Sequence, residues 1–144
     1  MILLRVGMAT ADNTRKPLYA GSFYPKTRSE LTSMIEQLTG RVTLPPVQPN
    51  THASLKALIM PHAGYMYSGL TSAHISRVLD ENQFKRVIVL APDHRLGFTG
   101  GAISDVAAYE TPLGRIPIDK DAAMLRSDTS LFQAIPASDR LEHS

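Results

Sequence analysis

Two histidines directly follow apolar runs of the sequence, in positions where side chains could share a ligand. Residues 55–60 lead into Pro-His62, and residues 87–91 lead into Pro-Asp-His94. Each run is typical of a buried strand, and residues 69–81 between them predict a helix. The right-handed crossover of such a unit makes its two strands parallel. Both imidazoles are therefore expected at one carboxyl edge, where strands lie roughly 4.8 Å apart and one metal ion could contact both rings.

The composition restricts which atoms could hold such a metal. The chain has 144 residues, and 43% of them are hydrophobic, which is enough for one domain with a core. It contains no cysteine, so a metal site would be built from histidine, aspartate and glutamate. Nitrogen and oxygen ligands of this kind suit iron, copper, manganese or zinc.

Other classes of function find no support in the sequence. The net charge is only +2 and the basic residues are scattered, which argues against nucleic-acid binding. No apolar stretch approaches the ~18 residues that span a bilayer, so we predict no membrane span and a cytoplasmic location. Neither a glycine-rich phosphate loop nor a Gly-x-Ser-x-Gly nucleophile motif is present.

The order of elements predicts an α/β domain with a largely parallel or mixed sheet flanked by helices. We expect a flexible leader over residues 1–18 and a single domain over residues 19–144. A helix is predicted to begin after Thr27 or Ser29 and to end at Gly40. Its apolar positions recur at helical spacing. They are Leu31, Met34, Ile35 and Leu38.

Three further elements are predicted after His94. A third strand is expected over residues 103–107, and a turn over residues 109–114. Asp119 is expected to cap a short helix that runs through Leu125.

Three more side chains are candidates for chemistry beside the two histidines. Asp93, directly before His94, could orient an imidazole, accept a proton or bind a cation, or could serve only as a turn carboxylate. Tyr65 could donate a hydrogen bond to a bound oxygen, or could pack across the strand ends. Spacing alone leaves the role of His143 open. The two remaining histidines are expected to be structural; they are His52 and His74.

Five short motifs resemble the Memo family in order and approximate spacing. They are Ala20-Gly-Ser-Phe-Tyr-Pro25, Pro61-His-Ala-Gly-Tyr65 with Ser68-Gly69, Leu90-Ala-Pro-Asp-His94, Tyr109-Glu-Thr-Pro-Leu-Gly114 with Ile118-Asp119, and Glu142-His-Ser144. The resemblance spans residues 19–144. One such motif is a weak signal, whereas five in register are specific.

This resemblance implies a relationship to the class III extradiol dioxygenases of the LigB type, which bind non-haem iron at the end of an α/β sheet. It implies that His62 and His94 are metal ligands, and that His143 belongs to the same pocket as a candidate acid/base. Fe²⁺ is the expected cofactor, with Cu or Zn as alternatives. The expected partners are an AMMECR-type protein and a radical-SAM protein, which accompany family members in many prokaryotes.

The chain resembles only an N-terminal portion of the family domain. Family domains continue past Glu-His-Ser with more strands, another histidine and a further ligand, often a cysteine. Two imidazoles alone would hold a divalent ion loosely unless Asp93, His143 or another chain completes the set, so the 144-residue chain is expected to be inactive without that ligand. An incomplete sheet exposes strand edges and apolar surface, so we expect self-association or partial disorder near the C-terminal end.

Two functions follow from these expectations. The first is metal-dependent, dioxygenase-like chemistry, with His62 and His94 as ligands, His143 as acid/base, and Asp93 and Tyr65 beside them. The alternative is a non-catalytic module that holds a peptide or a metal for partner proteins. Metal-assisted hydrolysis is a third interpretation with less support.

Overall fold

The structure, a computed structural model, describes residues 13–43, 55–79, 83–128 and 130–143. The elements in this part of the chain are short strands and helices connected by irregular segments. In chain order they are β1 (Thr14–Arg15), α1 (Arg28–Gly40), α2 (Tyr65–Ala73), a 3₁₀ turn (His74–Arg77), β2 (Gly101–Ala102), β3 (Ala108–Thr111), β4 (Gly114–Pro117), α3 (Asp121–Ser127), β5 (Phe132–Gln133) and α4 (Pro136–Leu141).

The described strands form two small sheets. One has the order β1-β3-β4, in which β1 lies parallel to β3 and β3 lies antiparallel to β4. The other pairs β2 and β5 in parallel. Helices accompany this mixed parallel and antiparallel sheet content, and the predicted α/β class is confirmed.

Helix α1 forms where local sequence signals predicted it. The Thr27 hydroxyl accepts a hydrogen bond from the backbone N–H of Glu30, and the Glu30 carboxylate accepts one from the backbone N–H of Thr27. This reciprocal capping box satisfies two amide groups that have no partner inside the helix. Leu31 is the buried residue of this helix, and α1 packs against α2.

Helices α1 and α2 approach closely at a glycine. A Cβ atom on Gly69 would lie 2.7 Å from Cδ1 of Leu38, so the absent side chain allows the two helices to meet. The predicted helix over residues 69–81 differs from α2 at both ends: α2 ends at Ala73, the 3₁₀ turn that follows ends at Arg77, and residues 80–82 lie outside the described residues. Helix α2 begins at Tyr65, whose backbone N–H donates to the carbonyl of Phe23, and this distant contact has no local sequence signal.

The two apolar runs that precede the histidines are not strands in the described part of the chain. Residues 55–60 and 87–91 pair with no strand there, and both runs lie largely exposed: Ile59 is fully exposed and Leu90 is 90% exposed. The prediction of two buried parallel strands is therefore wrong for this structure. A strand forms only where a neighbouring strand hydrogen-bonds its backbone N–H and C=O groups, and an apolar run does not by itself supply that neighbour.

The region after His94 also differs from its prediction. Strands β2 and β3 flank residues 103–107, which form no strand themselves. Residues 109–114 lie in a β-hairpin, because the turn at 112–113 joins β3 to β4. Asp119 lies one residue before the N-cap of α3, which is Lys120, so the predicted capping position is off by one; its Oδ1 still accepts the backbone N–H of Asp121, the first residue of the helix.

Strand β1 precedes the predicted domain start at Tyr19 and lies in the segment predicted to be a flexible leader. Thr14 and Arg15 pair with β3, whereas residues 1–12 of the predicted leader lie outside the described residues. The described apolar core is small and consists of Leu31, Val42, Ala73 and Ala108. Within the described ranges, no helix has the length and apolar character required to cross a membrane.

Candidate metal centre

Three imidazoles converge in the folded chain. His62, His94 and His143 each offer one ring nitrogen, and these three atoms lie within 4.8 Å of one another. Nε2 of His62 lies 3.3 Å from Nε2 of His94. The His143 ring centroid is 4.6 Å from that of His94 and 5.7 Å from that of His62.

His62 is placed by the start of helix α2. Gly64 occupies the N-cap position two residues after it, and the Ser68 hydroxyl donates to the carbonyl of Ala63 at 2.7 Å. The hydrogen bond from Tyr65 N–H to Phe23 O ties this turn to the N-terminal aromatic segment. The backbone that follows His62 is therefore fixed by these contacts, while the ring itself remains exposed.

His94 is held by the buried carboxylate of Glu142. Oε1 of Glu142 lies 2.9 Å from the His94 ring nitrogen Nδ1, and Oε2 accepts the His94 backbone N–H at 2.7 Å. Glu142 is only 6% exposed, and a buried carboxylate needs donors of this kind to offset its lost hydration. With Nδ1 of His94 facing Glu142, its Nε2 faces His62.

His143 is the least exposed of the three imidazoles, with a side chain 16% exposed. Its ring packs against the ring of Phe23 at 4.8 Å and that of Tyr19 at 5.8 Å between centroids. The Tyr19 hydroxyl donates to the carbonyl of Leu141, and the Arg15 guanidinium donates to the carbonyl of Glu142. The N-terminal segment therefore fixes the backbone that carries His143.

The spacing of His62 and His94 fits two ligands of one metal ion. Two imidazole nitrogens at 2.0–2.1 Å from a tetrahedral ion lie about 3.3–3.4 Å apart. The observed separation is 3.3 Å. No ligand atom of the three is more than 4.8 Å from another. The distances from the His143 nitrogen to the other two nitrogens would therefore shorten by at most about 1.4 Å if all three bound one tetrahedral ion.

The same separation is explained without a metal by a hydrogen bond between the rings. If Nδ1–H of His94 donates to Glu142, then Nε2 of His94 carries a lone pair and can only accept. The Nε2–H of His62 would then donate to it. A metal ion would take the place of this shared proton.

The other predicted site residues lie outside the three-histidine cluster. Asp93 Oδ2 accepts the backbone N–H groups of Leu96 and Gly97, which is the turn role weighed against a catalytic one. Its Oδ1 is buried and has no hydrogen-bond partner among the described residues. Tyr65 begins α2 and lies 6.0 Å from Tyr24 between ring centroids.

Of the two histidines predicted to be structural, one lies within the described residues. His74 Nδ1 lies 2.9 Å from the carbonyl oxygen of Leu70 and is not part of the cluster. His52 lies outside the described residues.

Sequence reasoning did not identify Glu142 and Arg15 as site residues. Glu142 had two usable signals, its position directly before a candidate histidine and its place in the Glu142-His-Ser144 motif. Arg15 had none, because it lies in the segment predicted to be a flexible leader. The two residues are 127 positions apart in sequence and meet only in the folded chain, where Arg15 Nη2 lies 2.8 Å from the Glu142 carbonyl.

A cavity of about 170 Å³ adjoins the cluster on the side of His143 and Glu142. Its remaining wall is formed mainly by aromatic and basic residues of the N-terminal segment and by strand β3, including Arg15, Tyr24 and Tyr109. Burial raises the pKa of the Tyr24 phenol, the nearby Tyr65 acts in the same direction, and Arg15 opposes them. Tyr24 therefore stays protonated beside the cavity through the neutral range.

Comparison with known proteins matches the Memo-like protein family to residues 15–144. A MEMO1 family protein of Nitrosopumilus maritimus is 35% identical over 135 residues, which cover 90% of this chain and 46% of that protein. A MEMO1 family protein of Methanopyrus kandleri is 38% identical over 114 residues, or 76% of this chain and 40% of the relative.

Protein MEMO1 of Homo sapiens is 30% identical over 131 residues, which cover 90% of this chain and 42% of the human protein. The chain thus spans less than half the length of the curated relatives it matches. The family match contains all three clustered histidines as well as Glu142 and Arg15. The chain belongs to the Memo-like family.

Proposed function

We propose that this chain binds a divalent transition metal through the His62, His94 and His143 cluster. The single observation that carries the proposal is the convergence of three imidazole nitrogens within 4.8 Å. These residues come from three separate segments of the chain, so their meeting does not follow from sequence proximity. Fe²⁺ is the metal that the family resemblance favours, with Cu or Zn as alternatives for the same nitrogen donors.

The donor set and its surroundings support this proposal. His62 and His94 have the separation of two ligands on one ion, and the Glu142 carboxylate beside His94 is the kind of group that orients metal-binding imidazoles. The rings of His62 and His94 are open to solvent, which gives an ion a path of entry. His74, which bonds a carbonyl elsewhere, provides the contrast of a structural histidine.

In the dioxygenase-like form of the proposal, bound iron would supply redox chemistry toward oxygen and a chelating substrate. His62 and His94 would hold the metal, and His143 would exchange a proton with the substrate. The adjoining cavity of about 170 Å³ has room for only a small group, since pockets for drug-sized ligands are about 300–1,000 Å³.

Metal uptake tests the proposal directly. Anaerobic titration of the protein with Fe²⁺, followed by equilibrium dialysis, should give about one ion per chain. His62→Ala and His94→Ala should each reduce uptake by tenfold or more, whereas His74→Ala, which removes an imidazole outside the cluster, should leave it unchanged. Equal uptake by all four proteins would remove the histidine cluster from the binding site.

His143 has two roles that the same titration separates. As a third ligand, it should be as necessary for uptake as His62. As an acid/base, it should be dispensable for uptake, so that His143→Ala binds metal but loses turnover.

The second candidate is a non-catalytic module that holds a metal or a peptide for a partner. It is favoured by the exposure of His62 and His94, which would leave a bound metal accessible to a partner protein. An oxygen-uptake assay with catechol-like substrates distinguishes the two. Metal binding with turnover supports the enzyme, and metal binding without turnover supports the module.

We also propose, from the family resemblance, a cytoplasmic location and association with an AMMECR-type and a radical-SAM protein. Fractionation of the native cells tests the location, and affinity purification of the tagged chain from the cytoplasmic fraction tests the partnership. Recovery of these two classes of protein would support the partnership, and their absence from a cytoplasmic extract in which the bait is abundant would contradict it.

A further inference from the structure

Glu142 is the group that contacts two of the three clustered histidines. Oε1 lies 2.9 Å from Nδ1 of His94 and accepts the backbone N–H of His143 at 2.8 Å, while Oε2 accepts the backbone N–H of His94 at 2.7 Å. Nδ1 of His143 lies 3.1 Å from the same Oε1. One carboxylate therefore holds both the backbone and the ring of His94 and adjoins the ring of His143.

An ionised carboxylate can only accept hydrogen bonds, so this geometry decides which nitrogen of His94 carries the proton. A neutral imidazole has one N–H, and the contact with Glu142 requires it at Nδ1. Nε2 is then left with its lone pair, and this is the atom that faces His62 at 3.3 Å. The backbone hydrogen bond from His94 to Oε2 anchors the residue to the same carboxylate at a second point, which restricts the direction of the ring.

We infer that Glu142 is a positioning residue, which selects the Nδ1–H tautomer of His94 and thereby presents Nε2 as a donor atom to the centre of the cluster. The inference concerns hydrogen bonding in the metal-free chain; only its consequence for affinity rests on the proposed metal binding. Metal-binding imidazoles commonly donate their second N–H to a carboxylate, and losing that partner typically lowers metal affinity about 10–100-fold.

The carboxylate is itself held in place, which a positioning role requires. Glu142 follows helix α4 directly, and its backbone N–H donates to the carbonyl of Ser138 at 2.9 Å. Its own carbonyl accepts from the Arg15 guanidinium at 2.8 Å. With the side chain buried and the backbone fixed at both ends, Glu142 has little freedom to turn away from His94.

The first test measures tautomers in the metal-free protein, by ¹⁵N-detected NMR of the imidazoles at a pH of about 8, where histidine is normally neutral. His94 should show the Nδ1–H form. His74 is an internal control, because its Nδ1 faces the carbonyl of Leu70 and must carry a proton whatever residue occupies position 142. A wild-type His94 in the Nε2–H form would overturn the inference without any variant.

The second test removes the carboxylate. In Glu142→Ala, His94 should lose its single Nδ1–H tautomer while His74 keeps its own. Glu142→Gln keeps the size of the side chain. Each oxygen of Glu142 accepts a backbone N–H, from His94 or His143, so the amide N–H₂ would face a donor at either position. Both variants should bind Zn²⁺, used alone as a redox-inert probe, about 10–100-fold more weakly than wild type. An unchanged His94 tautomer in a folded Glu142→Ala protein would contradict the inference, whereas the amide oxygen of Glu142→Gln can still accept the Nδ1–H.

The two proposals fail in different ways. If wild-type protein does not bind Zn²⁺ or Fe²⁺ but His94 responds to Glu142 as described, the metal proposal fails and the positioning role stands. If metal binds at the histidines and the His94 tautomer is indifferent to Glu142, the positioning role fails and the metal proposal stands.

Discussion

The candidate centre depends on side chains that reach across the chain to hold one another. His62 and His94 lie 32 positions apart, and Glu142 lies 48 positions from His94. A hydrogen-bonded series from His62 through His94 to the buried Glu142 carboxylate connects all three segments. Because each group in such a series orients the next, replacing one residue should change the orientation of the remaining side chains.

At the residue scale, the ionisation of Tyr24 provides a test that is independent of metal. Burial raises the pKa of its phenol above the ordinary value of 10.0, and Tyr65 adds to this rise while Arg15 reduces it. The folded state therefore retains the phenolic proton more strongly than the unfolded state does. The resulting stabilisation is fully present below pH about 10 and is lost as the pH rises through the folded pKa.

Tyrosinate absorbance across an alkaline titration measures this effect. Wild-type protein should contain a tyrosine that ionises later than an exposed one, and Tyr24→Phe should lack it. The alkaline loss of stability should also be smaller in Tyr24→Phe. Superimposable titration curves, after scaling for the number of tyrosines, would argue against a raised pKa of the partly buried Tyr24 phenol.

The sequence identified His62, His94 and His143 but not the residues that support them. Histidine after an apolar run is a local signal, and so is the Glu-His-Ser motif. The contacts of Glu142 with His94 and of Arg15 with the Glu142 carbonyl join positions far apart, and no spacing rule reports them. The residues that support the cluster are therefore harder to predict than its histidines.

At the scale of secondary structure, the best-predicted element is the one with the most local cause. Helix α1 has its cap, its apolar spacing and its terminal glycine within a single stretch of sequence. The prediction of strands over residues 55–60 and 87–91 was wrong for the opposite reason, since a strand requires a neighbouring strand that its own sequence does not specify. The expectation that two parallel strands would bring the histidines together was wrong, although the imidazoles do meet.

The capping box of α1 yields a stability prediction. Thr27→Ala removes the hydroxyl that accepts the Glu30 N–H, and it should lower the free energy of unfolding by about 1 kcal/mol. Thr27→Ser retains an equivalent oxygen and should cost much less. Urea denaturation followed by circular dichroism compares the three proteins. A loss in Thr27→Ser as large as that in Thr27→Ala would show that the methyl group, not the cap, is responsible.

The pairing of β2 with β5 requires a close approach of the chain at Gly100 to Leu131. The φ of Gly100 is +88°, in the left-handed region, and a Cβ there would overlap the backbone oxygen of Leu131. Gly100→Ala should therefore cost more than the roughly 1–2 kcal/mol of the left-handed conformation alone, because backbone atoms of the neighbouring segment cannot move aside easily.

A matched control for Gly100 lies three residues earlier. Gly97 has a φ of +63°, and a Cβ added there would meet no heavy atom of the described residues within 4 Å, so Gly97→Ala should show the conformational cost without the clash. The difference between the two variants in urea denaturation isolates the contact with Leu131. Equal destabilisation would indicate that this approach contributes little to the pairing of β2 with β5.

At the scale of the whole molecule, the distribution of apolar side chains is unusual for a folded domain. Few large apolar residues are buried in the described ranges, whereas the run that precedes His94 is exposed along its whole length. Val89 is 82% exposed and Leu90 is 90% exposed. Contiguous apolar surface of this kind is characteristic of association surfaces, and a run of β-branched residues that pairs with no described strand favours edge-to-edge pairing.

We therefore expect the isolated chain to self-associate through residues 87–91. The net charge of +2 offers little electrostatic repulsion between copies, and the run itself carries no charge. Val89→Lys places a charge in its centre and should weaken the association, because pairing would bury an unpaired ammonium group. Met124→Lys, at an exposed position of α3, adds the same charge away from the run and should leave association unchanged.

Sedimentation velocity over a concentration series measures all three proteins. A wild-type chain that remains a monomer throughout would rule out residues 87–91 as the contact. A Met124→Lys variant that dissociates as readily as Val89→Lys would do the same.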